Sequence, residues 1–574
     1  MKFLLKYLKP FFGRMSVGMT IKIFGTLVEL LIPFILSHIL DNVVVTQDVK
    51  QIIFWGVMMI ACAATALLCN IVANRMAAKV SRLFSERVRR DLFSRTMRLS
   101  SAQVDKFTIP SLESRITTDT YHVHNFVGMM QRMGVRAPML LIGGIAITLV
   151  MDRFLALAMI AILPFIFVTV YFISRKGVPL YSRVQKATDN MTRIVREDSQ
   201  GIRVIKALSK TEHEHRRYEK ANNELSSAEQ RASITMGAVN PIMTLLMNMG
   251  LVMVIAISAS RVAGHQSSAS TVIAFMQYFT LISNAMMSVT RIFTMYTKCS
   301  ASARRIEEVV EAPEDLILQS EEKFPKKQNG AHIEFDNVSF SYNGKKNDLE
   351  NISFSLARGG SLGIIGATGS GKSTLIRLLM RFYDVNKGAV YINGRDVRTI
   401  PADELYPMFG AAFQHDFLYA DTVRENIDLG RHLSDEQIVR AAKTAQAHDF
   451  ISAFPDEYGH MLSQKASNIS GGQKQRLLIS RAVAADPEIL VLDDSSSALD
   501  YKTDANLRAA LRENMKDSTV ITVAQRVSSI KDSDLIIVLD EGKIIGIGKH
   551  EELLLSCTEY REISESQMGG AFVE

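Results

Sequence analysis

Long apolar runs crowd the first 300 positions of the chain, whereas beyond about position 330 apolar residues come in short, strand-length stretches separated by polar ones. Six runs reach the roughly 20 residues that a helix needs to cross a bilayer. They lie near 16–40, 52–74, 127–151, 154–174, 239–260 and 271–293. Basic residues fall unevenly between them. The connection after the second run holds Lys79, Arg82, Arg87, Arg89, Arg90, Arg95, Arg98, Lys106 and Arg115, and the one after the fourth holds a longer series from Arg175 to Arg231. The connections near 41–51, 152–153 and 261–270 carry only Lys50, Arg153 and Arg261. Basic loops stay on the inner side of a membrane. The pattern therefore predicts a multi-pass protein of the plasma (inner) membrane, surrounded by membrane lipids, with both termini and both long connections in the cytoplasm.

The long connections themselves read as helix. From Val57 to Ile109 there is neither glycine nor proline. A helix of that length would be about 80 Å long at 1.5 Å per residue, so it should leave the roughly 30 Å hydrocarbon core and continue until Pro110. The stretch 181–236, with one glycine and no proline, behaves likewise. The segments Ser111–Thr118 and Thr211–Arg217 at the far ends are candidates for docking onto a soluble domain. Glu29 falls in the middle of the first span, where an acidic residue costs about 2.5–3.5 kcal/mol on insertion scales. It is expected to face a cavity or a basic partner, either Arg132 or Arg136. Methionines such as Met129, Met133, Met243 and Met286 lean toward a tolerant apolar cavity, although plain helix packing explains them nearly as well.

In the second half one stretch stands out. Gly366-Ala367-Thr368-Gly369-Ser370-Gly371-Lys372-Ser373-Thr374 fits the phosphate-binding pattern G-x-x-x-x-G-K-[ST], between a strand-like Ser361–Ile365 and a helix-like Leu375–Met380. Glycines there let backbone N–H groups turn toward phosphates, and the helix N-terminus adds its positive dipole end. Lys372 supplies a point charge to the β/γ-phosphate oxygens and Ser373 a hydroxyl for Mg²⁺. The expected ligands are ATP and Mg²⁺. Upstream, Ile333–Tyr342 alternates like an edge strand and ends in an aromatic able to stack on a purine. Downstream, Ile489-Leu-Val-Leu-Asp493 reads as an apolar strand ending in a metal-coordinating carboxylate.

Composition changes this picture little. A chain of 574 residues needs two or more domains, here 1–300 (transmembrane), 301–332 (linker) and 333–574 (nucleotide-binding). The net charge of +7 is accounted for by the basic inner loops, so no nucleic-acid partner is inferred. Cys62, Cys69, Cys299 and Cys557 show neither a disulfide framework nor metal-ligand spacing. Met1–Pro10 predicts an amphipathic surface helix rather than a cleaved signal peptide.

The order P-loop, then Ser470-Gly471-Gly472-Gln473, then the apolar strand ending in Asp493 resembles the signature of ABC-transporter ATPase domains. With the membrane spans in front, almost the whole chain resembles an ABC exporter half-transporter of the multidrug/lipid type. The resemblance implies an α-helical membrane domain of six transmembrane helices with long cytoplasmic extensions, followed by an α/β P-loop ABC-type ATPase domain. It implies that Tyr342 stacks on adenine and that Gln414 is the Q-loop residue linking nucleotide and metal to the membrane helices. Ser497-Ala-Leu-Asp500 is the implied D-loop. Ser470, Gly471, Gly472 and Gln473 would reach the γ-phosphate held by a second subunit, so two subunits assemble head to tail.

Two departures from the family pattern stand out. Asp494 occupies the position where the family usually has a glutamate that polarises the attacking water, and Gln525 the position of the usual switch histidine. Aspartate withdraws its carboxylate by roughly 1.5 Å, and a misplacement of about 1 Å can cost on the order of 10²-fold in rate. Glutamine cannot carry the positive charge that histidine offers. The expectation is an ATP-driven exporter of hydrophobic or amphipathic small molecules whose own site binds ATP and hydrolyses it poorly. Its partner would be a second half-transporter with an intact catalytic glutamate. A lipid or peptide exporter, a homodimeric exporter and a non-transporting ATP-binding sensor are the other readings.

Overall fold

A computed structural model of the chain describes residues 2–264, 268–328, 330–414, 416–495 and 498–568. Two compact units are present: Met1–Arg98 with Thr108–Ala312, and Leu99–Phe107 with Pro313–Glu574.

The first unit is all helix. Its main elements are α1 (Phe12–His38), α2 (Val49–Thr96), then, beyond the excluded segment that holds α3 (Ser101–Phe107), α4 (Thr120–Met151), α5 (Arg153–Ala207), α6 (Thr211–Gly237), α7 (Val239–Ala263) and α8 (Ala269–Val310). Three of them begin on a polar cap. Asp48 accepts the Lys50 N–H at 2.9 Å, Asp152 the Phe154 N–H at 3.0 Å, and Ser268 the Thr271 N–H at 3.2 Å. Each cap takes up a donor that the first helical turn cannot satisfy internally. Among the described residues five helical segments are long and apolar enough to cross a membrane, against the six expected. The difference is the fourth run, of which only Arg153–Ile162 counts as a shorter apolar helix. On α2, Phe54, Val57, Ile60, Leu67 and Leu68 are exposed, as befits a helix whose apolar surface meets lipid rather than protein.

The interior of this unit is built where α1, α4 and α8 meet, around Leu30, Ala137, Leu140, Ala274, Tyr278 and Ala285. The Tyr278 hydroxyl donates to the Leu30 carbonyl at 2.6 Å. Glu29 pairs with Arg136 at 2.6 Å, so the intramembrane carboxylate has one of the two partners its cost demanded. The N-terminal helix Lys2–Leu8 buries Phe3, Leu4 and Tyr7, with Tyr7 edge-on to Phe84 of α2. Its apolar side is therefore turned onto protein rather than left for lipid.

The long helices depart from expectation at their ends. α2 stops at Thr96, well before Pro110, because Ser100 starts a new helix: its hydroxyl accepts the Gln103 N–H at 3.1 Å and donates to Asp315 at 2.5 Å. A side chain that satisfies backbone groups locally competes with continuation of the helix. The docking candidate Ser111–Thr118 turns out to lie within the membrane unit, and it is Leu99–Phe107 that belongs with the second unit. Arg115, buried, donates to the Arg305 carbonyl at 2.8 Å, and the fully buried Asp119 accepts from Ser302 at 2.8 Å and from Arg305. These bonds tie that segment to α8. The other far end, between α5 and α6, turns at Ser209 (φ 52°) and is held by Arg217 with Glu197 and Glu214. α8 continues to Val310, into the expected linker.

The second unit has two sheets. The first contains β1 (Ile333–Phe340), β2 (Leu349–Leu356), β4 (Lys387–Ile392) and β5 (Arg395–Asp396) in the order β2-β1-β4-β5, all antiparallel. The second contains β3 (Ser361–Gly366), β6 (Phe409–Ala412), β7 (Ile489–Asp493), β8 (Thr519–Val523), β9 (Leu535–Asp540) and β10 (Lys543–Gly548) in the order β10-β9-β3-β8-β7-β6, parallel except for β10. β1 is paired on both sides and is not the edge strand its alternation suggested, since both faces of its ladder are taken by β2 and β4. β7 is buried at all five positions, consistent with the continuous apolar run that a parallel strand covered on both faces requires. Helix α9 (Lys372–Leu379) follows β3, and α10 (Gly471–Val483) precedes β7.

Candidate nucleotide site

Chain reversal after β3 demands glycine. Gly371 caps α9 at φ 102°, and a Cβ there would stand 2.6 Å from Leu349 Cδ2. At Gly366 a Cβ would meet the Leu539 carbonyl oxygen at 2.0 Å. Only a chain without side chains at these points fits between its neighbours, which is why the loop is glycine-rich. The same turn aims the first N–H groups of α9 into a cavity of about 300 Å³. Its walls hold Thr368, Gly369, Gly371, Lys372, Ser373 and Thr374 from the loop, Gln414 beyond β6, Asp493 and Asp494 at the end of β7, and Gln525 beyond β8. The parallel register of β3, β8 and β7 carries these strand ends to one edge of the sheet, where ligands bind in open α/β sheets.

Charges in the cavity are strongly perturbed. Burial pushes the Asp493 carboxyl above its ordinary value; the Ser373 hydroxyl opposes that shift and the neighbouring Asp494 charge adds to it. Asp494 is raised by burial too, against hydrogen bonds from Gln414 and Gln525. Burial lowers Lys372, with both aspartates pulling the other way. Its ammonium donates to the Gly366 and Ala367 carbonyls at 2.9 and 2.8 Å. Among the described residues Asp493 Oδ1 is buried without a hydrogen-bond partner. A buried carboxylate oxygen left in that condition, next to a serine hydroxyl, suits a hard oxygen-seeking cation. Ser373, Asp493 and Gln414 would hold Mg²⁺. The ion would neutralise charge on the β- and γ-phosphate oxygens.

Asp494 sits at φ 52°, in the left-handed region that aspartate tolerates better than most residues. Its Oδ2 accepts the side-chain amides of Gln414 at 3.0 Å and of Gln525 at 2.8 Å. A carboxylate only accepts, so each glutamine must present its NH₂ group. Tyr342 lies beside the loop: its hydroxyl donates to Thr374 Oγ1 at 3.3 Å and accepts from Arg377 at 3.2 Å.

The signature residues are absent from the cavity wall. Ser470 caps α10 by accepting the Gln473 N–H at 3.3 Å, and the Gln473 side chain returns the bond to the Ser470 N–H at 2.9 Å. Gly471 and Gly472 follow in the first turn. Of the D-loop stretch, Ser497 lies outside the described residues, and Asp500 caps the helix Tyr501–Asn514 through the Thr503 N–H at 2.9 Å.

Sequence reasoning missed two residues. Asp348 lines the cavity and accepts the Tyr342 N–H at 2.9 Å. Tyr383 stands edge-on to Tyr342 at 5.0 Å and donates its hydroxyl to Asp105 of α3 at 2.6 Å. No spacing along the chain marks them, because tertiary contacts alone bring them to the loop.

Comparison with known proteins agrees with this geometry. Residues 15–286 match the ABC transporter transmembrane region and residues 349–497 the ABC transporter domain. The ABC transporter ATP-binding protein YfiB of Bacillus subtilis is 34% identical over 98% of both chains. The putative ABC transporter ATP-binding protein exp8 of Streptococcus pneumoniae is 30% identical over 99% of this chain and 97% of its own. Among solved structures, a bacterial Atm1-family ABC exporter with ATP bound superposes with a TM-score of 0.82 over 98% of this chain and 99% of its own, at 22% identity. That likeness supports the fold. With a transmembrane region and an ATP-hydrolysing domain in one polypeptide, built in the exporter fold, the chain belongs to the ABC transporter family.

Proposed function

We propose that the chain is one half of a heterodimeric exporter of hydrophobic or amphipathic compounds, and that its own P-loop site binds Mg·ATP but turns it over slowly. The observation that carries this reading is the pair of amides on Asp494. A carboxylate that is to polarise water needs a lone pair aimed at that water. Here Oδ2 is engaged by Gln414 and Gln525, on a side chain one methylene shorter than the usual glutamate. Gln525 offers no positive charge to the phosphate oxygens.

The capped start of α10 lies outside the chain's own cavity and would complete the site of a partner subunit. Ser470 N–H and Oγ are used within the cap, leaving the helix N-terminus and its glycines to face a γ-phosphate. In the same reading the membrane unit makes six spans, the ATPase domain is cytoplasmic, and Leu99–Phe107 and the turn before Thr211 transmit closure of the nucleotide domains to the helices.

The test is ATP turnover by the purified chain alone in nanodiscs, with ATP-dependent uptake of a hydrophobic dye into inside-out vesicles measured when the chain is co-expressed with a partner. Near-background turnover alone, with uptake when paired, supports the proposal. Brisk turnover by the lone chain would make it a homodimeric exporter. ATP binding without uptake in either setting would make it a sensor.

A further inference from the structure

Between α1, α2, α4 and α8 lies a second cavity, of about 450 Å³. Lys22, Arg132, Arg136 and Arg291 are in its wall, together with Met129 and Met133, and among the described residues no acidic one is. Lys22 and the two arginines of α4 fall inside candidate spans, and Arg291 lies just past the end of another. Among the described residues, Arg136 alone of the four pairs with a carboxylate, that of Glu29. Lys22, buried, donates to the neutral Asn70 and Asn74 at 2.6 and 3.1 Å, and Arg132 to its own helix at the Gly128 carbonyl, 3.1 Å away. Among the described residues none of Lys22, Arg132 and Arg291 has a carboxylate partner.

Intramembrane cations are costly and usually paired. Lys22, whose acceptors are the neutral Asn70 and Asn74, repels Arg132 and Arg291 around one cavity, and among the described residues no carboxylate balances any of the three charges. Their geometry suits one kind of guest. Two guanidinium groups and an ammonium match the oxygens of a phosphate or carboxylate, which arginine grips through parallel N–H bonds. Glu29 lies two turns beyond Lys22 on α1, about 10 Å along the axis. It borders another cavity, of about 440 Å³, walled by Ile32, Pro33, Met276 and Leu281. Charge at one level and apolar surface at the next describe the two ends of an amphiphile.

We propose that the basic cavity holds the anionic headgroup, phosphate or carboxylate, of an amphiphilic transport substrate whose apolar part lies along α1 toward Ile32. The inference rests on the transport reading for its biological sense, but the binding site stands or falls by itself. The site would favour anions, tolerate variation in the apolar part, and reject cationic amphiphiles.

The test is equilibrium binding of radiolabelled octyl phosphate to the full chain in phosphatidylcholine nanodiscs without nucleotide, with empty nanodiscs subtracted. Octyl phosphate is expected to bind saturably, and octanoate to displace it. Octyltrimethylammonium and octanol should displace it at least 10-fold less well. The double variant Arg132→Gln/Arg291→Gln should weaken binding at least 10-fold, and Arg132→Lys/Arg291→Lys should restore most of it. Equal displacement by octanol or octyltrimethylammonium would overturn the proposal, as would binding by the glutamine variant within twofold of the parent. Displacement by inorganic phosphate at the same concentrations as octyl phosphate would identify a free-anion site and overturn the amphiphile assignment. Binding without ATP-driven uptake would count against transport alone, and dye uptake without octyl phosphate binding against this inference alone.

Discussion

Gln525 donates its side-chain amide to Asp494 across 2.8 Å, so two residues that the family resemblance singles out as departures are in direct contact. Asp494 reaches the glutamine from the end of β7 and Gln525 from the end of β8, adjacent parallel strands. In the proposed function the two residues therefore act as one unit. A change at either position alone leaves the other matched to a partner that is gone.

The first prediction concerns turnover. The chain alone should hydrolyse ATP near background, Asp494→Glu should raise the rate modestly, and Asp494→Glu/Gln525→His should raise it at least tenfold, toward the roughly 1 per second common among enzymes. Coupled-assay rates of the three proteins decide it. A parent already at about 1 per second would show Asp494 to be a working base.

A second prediction concerns pH. Gln414 and Gln525 oppose the upward push of burial on the Asp494 carboxyl. Gln525→Ala removes one of those donors, so the carboxyl should lose its proton at higher pH than in the parent. The midpoint of Asp494 titration, followed by infrared carboxyl absorbance in the isotope-edited protein, should move upward, and an unchanged midpoint would contradict the hydrogen bond.

Third, burial raises Asp493 and Asp494 in the folded chain above the roughly 3.9 of an unfolded aspartate. The folded state then keeps protons that the unfolded state has lost. Stability from this pair is fully present below about pH 3.9 and declines as pH rises through the raised values. At neutral pH the pair is a cost, relieved by a cation. Asp493→Asn should accordingly raise the Tm of the nucleotide-free ATPase unit by about 2–4 °C, as ~1 kcal/mol would, while abolishing the further rise that Mg·ATP produces in the parent. Differential scanning calorimetry with and without Mg·ATP reads both effects.

Fourth, Tyr383 links α3 to the aromatic cluster around Tyr342 through its 2.6 Å bond to Asp105. Tyr383→Phe removes about 1 kcal/mol of hydrogen bonding and keeps the ring. ATP affinity should change less than threefold, whereas stimulation of ATP turnover by transport substrate in the paired protein should fall. Unaltered stimulation would remove Leu99–Phe107 from the coupling route.

In the membrane unit, Glu29→Gln and Arg136→Gln should each lower Tm, and the double variant should cost less than the sum of the two. The expected coupling energy is about 1 kcal/mol, within the range for contacting residues. Additive losses in a thermal-unfolding cycle would show that the 2.6 Å pair contributes nothing by itself.

Much of the fold was legible locally. Apolar runs long enough to span a bilayer as helix mark helices, because a helix satisfies its backbone within a single segment inside lipid, whereas a strand needs a closed barrel of neighbours. The P-loop is legible because glycine is the only residue that fits Gly366 and Gly371, and the buried strand Ile489–Asp493 because its apolar residues are continuous. Tertiary structure decided the rest. Whether Glu29 takes Arg132 or Arg136 depends on how α1 packs on α4. Ser100 ends α2 early because Asp315, far along the chain, receives its hydroxyl. β1 proved to be internal because β4 pairs with its second side. The contact between Asp494 and Gln525 comes from the register of two strands, and the unpaired cations at Lys22, Arg132 and Arg291 come from three helices meeting. Periodicity and backbone constraint are local properties that a sequence displays. Which charged group meets which is set by packing between segments distant in the chain.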